Sequence, residues 1–341
     1  MRIWLLIVIV FLLANVFSQD IHFTQFQSAP YALNPASTGY FKGNYRFGGI
    51  YRAQWPFAAQ GKFVTYQNYS AFVDFSLLEN RINKLDFIGI GAYALRDEAG
   101  DGRLSTTKAS LQFAYHKGFD KKGKYRLSAG IGVMYVNKQI DFEKLYFNNQ
   151  WNGTGFDNGL PNLESYLNTR VQNIDLNAGL QFAMGIGKGN SITIGYAMHH
   201  LNRPKESFYQ ADNRVGLRYT GTVNANILFG RELEWQLGAF VSSQKRSLEA
   251  AVSALAKYTP VKYKKRDEYS LYFGMYYRTR DAIAPMLGFM VYRTRLLISY
   301  DITVSRLNPY NTGVGALEIS LVHTGAFPQK NNPKKVYCPL F

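Results

Sequence analysis

Few residues in this sequence are grouped in a way that could support catalysis or metal binding. The five histidines are scattered, and the adjacent pair His199-His200 falls in an alternating segment, where neighbouring side chains point to opposite faces and cannot chelate one ion. Segment 185–189 is rich in glycine, but no helix follows it, and a phosphate cradle needs a helix N-terminus. No Gly-x-Ser-x-Gly nucleophile elbow occurs. We therefore expect no enzyme, and neither a metal nor a cofactor.

The acidic residues are placed to face a polar interior rather than to act as an acid–base pair. Asp74, Asp175 and Glu318 each fall on the polar face of an alternating segment, which predicts a solvated or ion-paired lumen. The chain has one cysteine, Cys338, so it can form neither an internal disulfide nor a cysteine-based zinc site. This thiol leaves two interpretations open: an incidental terminal residue, or a site of docking or thiol chemistry.

Positive charge dominates, with 39 lysines and arginines against 23 acidic residues and a net charge of +16. The cations are spread through turns and strand ends, and they cluster only within 262–266. A nucleic-acid surface would concentrate them on one face. The flanks of a membrane-embedded segment, where Lys, Arg and Tyr settle at the lipid headgroups, explain the same counts. We predict outer-membrane lipid as a partner, and no nucleic acid.

The elements that must position these residues are strands. Aromatic residues make up 16% and charged residues 18% of the chain, whereas a soluble domain carries about 25% charged residues. After the N-terminal segment, no stretch approaches the roughly 20 apolar residues of a membrane-spanning helix. At the start, Arg2, an apolar run over 3–14 and the pair Val16 and Ser18 are typical of a secretory signal peptide, cleaved near Ser18. Export and the single cysteine indicate a Gram-negative envelope.

A period of two residues runs through most of the mature chain. In segment 173–187 the apolar residues, among them Leu180, share one face, and polar or small residues such as Gln181 share the other. Many of the alternating segments match the 9–11 residues of a transmembrane strand. Fourteen of them are candidate strands: 45–54, 67–77, 86–95, 107–117, 125–136, 173–187, 191–200, 217–229, 233–244, 248–258, 268–278, 284–292, 295–304 and 315–324.

These strands predict an all-β fold, a transmembrane antiparallel β-barrel of about 14 strands over residues 45–325. A soluble β-sandwich or propeller is the alternative, but no repeat near 40 residues supports a propeller. The tight turns near 188–190, 230–232 and 293–294 fall on one side, and the long connections 137–172 and 201–216 on the other. Short turns face the periplasm in such barrels, so both chain ends are expected there. On the lumen side Gln181→Arg should be better tolerated than Leu180→Arg.

The two ends of the mature chain lie outside the strand pattern. Segment 19–44 contains Pro30 and Pro35 and does not alternate, and its aromatic residues are too apolar for a free arm. We expect it to pack into the periplasmic mouth and to narrow the pore. Segment 326–341 is a lysine-rich spacer with an apolar end, which suits docking into a partner's groove. The candidate docking residues are Tyr337, Cys338, Pro339 and Phe341.

Motifs at both ends of the mature chain resemble those of the PorP/SprF family, outer-membrane proteins associated with the type IX secretion system. The first group comprises Asp20-Ile21-His22-Phe23-Thr24-Gln25-Phe26, Leu33-Asn34-Pro35-Ala36 and Thr38-Gly39. The second comprises Tyr277-Arg278, Asp281-Ala282, Gly288, Ser299-Tyr300-Asp301 and Glu318-Ile319. The chain departs at 315–318, where the family commonly has a Gly-Ser-His-Glu-like run. Its ending is similar to tails seen in the family.

The resemblance implies a barrel that supports secretion and cell-surface anchoring of one large adhesin with a type IX sorting domain, in some members for gliding motility. It also implies contact with secretion and motility components. Other members look like links between the outer membrane, a peptidoglycan-binding lipoprotein and the secretion motor. A third reading is an outer-membrane channel for small or hydrophobic solutes, which should conduct ions where an adhesin anchor should not.

Overall fold

The computed structural model describes residues 23–55, 66–79, 81–83, 85–100, 102–120, 123–164, 168–187, 189–209, 211–261, 269–306, 308 and 313–327. The signal peptide, His22 and the four candidate docking residues of the tail lie outside these ranges. No helix in the described ranges is long and apolar enough to cross a membrane.

Fourteen antiparallel strands close into one barrel, in which each strand pairs with its neighbours in the chain and β1 pairs with β14. The predicted fold class is therefore confirmed. The strands are β1 (Tyr45–Gln54), β2 (Tyr66–Leu77), β3 (Phe87–Ala99), β4 (Leu104–Gly118), β5 (Tyr125–Gln139), β6 (Arg170–Ile186), β7 (Asn190–His199), β8 (Arg218–Phe229), β9 (Leu233–Gln244), β10 (Ser247–Tyr258), β11 (Tyr269–Arg278), β12 (Ala282–Val291), β13 (Thr294–Thr303) and β14 (Val314–Gly325).

The strand positions follow the alternation, and the main differences lie at strand ends beyond the apolar stretch. Strand β3 continues through polar residues to Ala99, and β4 begins already at Leu104. Cross-strand pairing continues there, with Asp97 opposite Thr106 and Glu98 opposite Ser105. Hydrogen bonding between backbones does not require an apolar face, so this hairpin extends past the segment that the side-chain pattern marks.

The two ends of the barrel differ in their connections. The longest ones, 140–169 and 200–217, lie at the end where β1 terminates, which we call the loop end. At the opposite end, where β1 begins, 187–189, 230–232 and 292–293 are turns of two or three residues, and we call it the turn end. Bacterial outer-membrane barrels have short periplasmic turns and longer external loops. The turn end therefore faces the periplasm.

The two faces of the wall are as different as the alternation predicts. Along β6, Leu180 is 54% exposed on the outer surface, whereas Gln181 is 4% exposed on the lumen side. Leu111 and Leu287 are also largely exposed on the outer surface. A polar lumen face and an apolar outer face leave lipid as the only suitable surrounding for this surface.

Replacement of Leu180 by Arg is expected to impair assembly, because an Arg on the lipid face near the bilayer midplane costs about 2–4 kcal/mol. The measurement is the fraction of protein that runs as a folded, heat-modifiable band. The matched control is Phe229→Arg, which changes an exposed residue at the turn-end terminus of β8. Near the interface the same substitution costs only about 0–1 kcal/mol. Equal losses in both variants would contradict the depth that we assign to Leu180.

The expectation that Gln181→Arg is better tolerated than Leu180→Arg stays a prediction. The Gln181 side chain accepts a hydrogen bond of 2.6 Å from the Ser37 hydroxyl and is packed inside the lumen. An arginine there would break this hydrogen bond, so the substitution is not neutral. The alternation identifies the face, but it contains no information on what fills the lumen.

Candidate functional site in the lumen

Residues 23–44 run through the inside of the barrel, and we call this segment the plug. It contains three single turns of 3₁₀-helix, Phe26–Ser28, Pro30–Ala32 and Pro35–Ser37. Pro30 and Pro35 each occupy the first position of a turn, where a missing backbone N–H costs nothing. The Asn34 side chain accepts a hydrogen bond of 2.9 Å from the Ala36 amide and so caps the last turn.

The first residues of the plug are held by a buried ion-pair network that we call the outer cluster, formed by Thr24, Gln25, Arg52, Asp301 and Glu318. The backbone amides of Thr24 and Gln25 donate to the Glu318 carboxylate at 2.9 and 2.7 Å. Arg52 pairs with Glu318 at 3.1 Å and with Asp301 at 2.8 Å. The Thr24 hydroxyl donates to Asp301 at 2.8 Å. All five residues are buried, so strands β1, β13 and β14 grip the plug in the loop-end half.

The last residues of the plug are held by a second buried group, the inner cluster, which comprises Gly39, Arg46, Asp74 and His116. Arg46 donates through Nε and Nη2 to the two Asp74 oxygens at 2.9 and 2.8 Å. The Gly39 amide donates to the same carboxylate at 2.8 Å. His116 Nε2 lies 2.8 Å from the Thr38 carbonyl oxygen. Two-point contacts of this kind are strong and directional, so both ends of the plug are fixed to the wall.

Between these clusters the plug packs against the wall through apolar side chains. Phe26 belongs to a buried group with Phe240, Leu255 and Tyr276, and its ring centroid lies 5.0 Å from that of Phe240. Tyr31 packs against Phe72 and Tyr93 in a second group. Burial raises the pKa of the Tyr31 phenol far above its usual range, although the Arg46 cation opposes this shift, so the ring stays neutral. The lumen therefore has a packed core of its own.

Glycines on the lumen face leave room for the plug backbone. A Cβ added at Gly89 would overlap the Thr38 carbonyl, and one added at Gly179 would overlap the Asn34 amide oxygen. At Gly130 an added Cβ would lie 2.5 Å from the Ala36 nitrogen. Such distances are shorter than real Cβ contacts, so a larger residue at these positions would not fit beside the seated plug.

The five motif residues that the structure describes, Phe23, Gln25, Phe26, Asn34 and Pro35, all lie in the plug and are buried. Their depth differs from our expectation, which placed the segment at the periplasmic mouth. The plug crosses the lumen and reaches the loop-end half, because the partners of Thr24 and Gln25 lie toward the loop-end termini of their strands. Sequence reasoning missed Arg46 and Arg52. Arg46 and Arg52 lie an even number of residues from Ile50, which faces the lumen, so the period of two in β1 could have placed both arginines on the lumen side.

A cavity of about 60 Å³ lies on the loop-end side of the plug. Both His199 and His200 line it, which corrects the expectation that the two rings point to opposite faces. Strand β7 ends at His199, and His200 has a φ of +61°, so the alternation of the strand does not extend to it. No group of three or more potential metal ligands occurs in the part of the chain that the structure describes.

A family model described as type IX secretion system membrane protein PorP/SprF matches residues 15–322. The chain belongs to the PorP/SprF family. This result agrees with the motifs in the plug and places the protein in the Gram-negative outer membrane as a component of a secretion system. The family and the fold are not those of an enzyme class, and membership implies interaction with other secretion components.

Solved structures similar to this PorP/SprF barrel are outer-membrane barrels of very different sequence. The toluene transporter TodX of P. putida has 9% identity and a TM-score of 0.51, over 87% of this chain and 93% of that one. The monoaromatic hydrocarbon channel CymD has 10% identity and a TM-score of 0.52, over 89% of this chain and 94% of that one. At such identities the likeness shows the fold alone. No curated protein is a significant match to the chain.

Proposed function

We propose that this barrel anchors one large secreted adhesin with a type IX sorting domain at the cell surface and supports its secretion. The observation that carries the proposal is the plug that occupies the lumen, in a member of a secretion family. Two buried clusters and a packed core hold the plug, so the barrel has the properties of a rigid membrane anchor. Its loop end, with connections 140–169 and 200–217, offers the external surface that such a partner needs.

The channel reading has one observation in its favour, the likeness to TodX and CymD, whose names describe a transporter and a channel. Two observations weigh against it. The plug runs through the lumen, and the ion pairs at its two ends, Arg52 with Glu318 and Arg46 with Asp74, are buried. A path for solutes would require these contacts to break in each transport event. Separating a buried ion pair costs free energy, because each charge is left buried without its partner.

A role in gliding motility is the finer form of this proposal, and a barrel that links the secretion motor to peptidoglycan is an alternative to it. The alternative requires a contact on the periplasmic side, where β14 ends and residues 326–341 follow. We propose that the apolar tail residues Tyr337, Cys338, Pro339 and Phe341 dock onto a periplasmic partner such as a peptidoglycan-binding lipoprotein. An aromatic anchor on a polar tether is the pattern that supports this docking role.

The test uses cells that lack the gene and express either the full chain or a variant without residues 338–341. Loss of the barrel is expected to remove a large protein from the set released by surface proteolysis, and the full chain should restore it. The truncated chain should reach the outer membrane as a folded band but restore surface display only in part. Cys338→Ser is the control that separates the thiol from the apolar residues. An unchanged surface proteome without the barrel would refute the anchoring function.

A further inference from the structure

A second cavity, of about 10 Å³, lies between the plug and the wall formed by β10, β12 and β13, and we call it the small cavity. Thr24, Gln25, Gln27 and Ser28 of the plug line it together with five residues of the wall. Arg295 is the one charged residue in this lining, and no acidic residue belongs to it. The volume is about that of one water-sized sphere, so the small cavity suits a monatomic ion or a water molecule.

Two hydrogen-bond donors in the lining are buried and have no partner in the part of the chain that the structure describes. They are Arg295 Nε and the Ser253 hydroxyl, and Ser253 is 7% exposed. The Gln27 amide lies beside this hydroxyl, because a Cβ added at Gly238 would overlap Gln27 Nε2 and would lie 3.0 Å from Ser253 Oγ. A buried donor without an acceptor is costly, and such atoms commonly mark the place of a bound group. The lining therefore suits a ligand that accepts hydrogen bonds.

The plug fixes the Arg295 guanidinium at the small cavity. Its Nη2 donates to the Ser28 hydroxyl at 2.9 Å, and Ser28 lines the same cavity. The guanidinium carbon also lies 5.7 Å from the centroid of the Tyr272 ring. Because a guanidinium is a rigid, planar fork, its Nε is held close to the contact that Nη2 makes. The unpartnered Nε and the plug residue Ser28 thus belong to one place in the lumen.

The acids of the outer cluster do not neutralise Arg295. Arg52 pairs with both Asp301 and Glu318, and neither acid forms an ion pair with Arg295 in the described ranges. Glu318 lies opposite Ser299, which is four residues from Arg295 along β13. At the rise of a strand this separation is about 13 Å. The two carboxylates therefore serve the loop-end part of the plug rather than the Arg295 guanidinium.

The groups that act most on the Arg295 charge also leave it positive. They are the Tyr272 phenol and Arg46, and Arg46 is a cation that is already paired with Asp74. A cation inside a protein is costly unless a counter-charge or strong hydrogen bonds accompany it. An anion at the small cavity would supply that counter-charge.

We propose that the small cavity binds one chloride ion, which accepts hydrogen bonds from Arg295 Nε and the Ser253 hydroxyl next to the Gln27 amide. Chloride is monatomic, whereas a phosphate or a carboxylate is too large for about 10 Å³. The ion gives the guanidinium its counter-charge and joins β10 and β13 to the plug, between the outer and inner clusters. Binding of chloride does not depend on the anchoring function.

The first test measures the temperature at which the folded band disappears, for the full-length protein in detergent. Sodium gluconate is replaced step by step by sodium chloride at constant ionic strength, because gluconate does not fit the small cavity. The same titration of Arg295→Gln gives the general salt effect on the barrel. Relative to this variant, the wild type should gain about 2–4 °C at a chloride concentration about tenfold above the dissociation constant. An equal response of the wild type and folded Arg295→Gln would overturn the proposal.

A serine pair tests the site with the cation in place. Ser253→Ala removes one donor and should need a several-fold higher chloride concentration for the same rise. The matched control is Ser110→Ala, since Ser110 is also buried with an unpartnered hydroxyl in the described ranges but does not line the small cavity. It should respond like the wild type. A wild-type response of Ser253→Ala would overturn the assignment of the ion to this cavity.

Bromide distinguishes an anion from a water molecule at the same position, because it replaces chloride and scatters X-rays anomalously. Crystals of the full-length protein grown in sodium bromide should show an anomalous peak between Arg295 and Ser253. Crystals of Arg295→Gln should lack this peak. Density at that position without an anomalous signal would identify water as the occupant and would overturn the proposal.

Discussion

Deletion of residues 21–39 is expected to turn a closed barrel into one that conducts ions. In planar bilayers the full-length protein should add no resolvable conductance, since packed side chains and two buried clusters occupy its lumen. The deletion removes most of the plug but leaves all fourteen strands and their pairing. Stable conductance steps should then appear. The folded state of the variant is checked first, by its heat-modifiable band.

A milder variant tests the same point in case the deletion prevents assembly. Gly130→Ala places a Cβ against the backbone of Pro35 and Ala36, and the plug must shift to accommodate it. Gly132→Ala, two residues along the same lumen face, meets only side chains at ordinary distances of 3.4 Å or more and is the matched control. We expect brief openings with Gly130→Ala and none with Gly132→Ala. If the folded deletion variant conducts no more than the wild type, the plug is not what closes the barrel.

Arg52→Met is expected to lower stability by about 3–5 kcal/mol, the range for breaking a buried ion pair from one side. Arg52 is the partner of both Asp301 and Glu318, so its loss leaves two buried carboxylates close together. Arg278 lies 3.6 Å from Asp301 and can replace only part of the lost charge. The measurement is the midpoint of guanidinium unfolding in detergent, together with the temperature at which the folded band disappears.

The matched control is Arg96→Met, which breaks an exposed pair with Glu98 at 3.5 Å. Exposed pairs contribute at most about 1 kcal/mol, so its midpoint should stay close to that of the wild type. The double variant Arg52→Met with Glu318→Gln removes one of the two uncompensated charges and should recover part of the loss. Equal midpoints for Arg52→Met and Arg96→Met would contradict a supporting role for the outer cluster.

Much of the fold could be predicted from the sequence, because the period of two is a local property of each strand. Leu180 and Gln181 differ by one position and lie on opposite faces as the alternation requires. The strand count and the direction of the ends also follow from local features, namely segment length and turn length. The membrane selects for this regular pattern because lipid accepts only apolar side chains and fully paired backbones.

The alternation of apolar and polar residues could not predict what fills the lumen. The prolines in segment 19–44 exclude a strand, and its aromatics exclude a free arm, but neither property fixes depth. The plug reaches Glu318 because Thr24 and Gln25 present two amides to a carboxylate that is 294 and 293 residues away in the chain. Closure of the barrel brings these residues together, and the sequence near either of them does not predict the contact.

By itself, the sequence determined the barrel, its membrane and its family, since alternation, turn chemistry and the end motifs are read residue by residue. Only the tertiary structure decided that Arg46 and Arg52 hold a plug through Asp74, Asp301 and Glu318. It also decided that His199 and His200 share one cavity with Asp175. The physical reason is that burial inside the barrel depends on which strands face each other across the lumen. That arrangement exists only after the barrel has closed, so it cannot be predicted from any single segment.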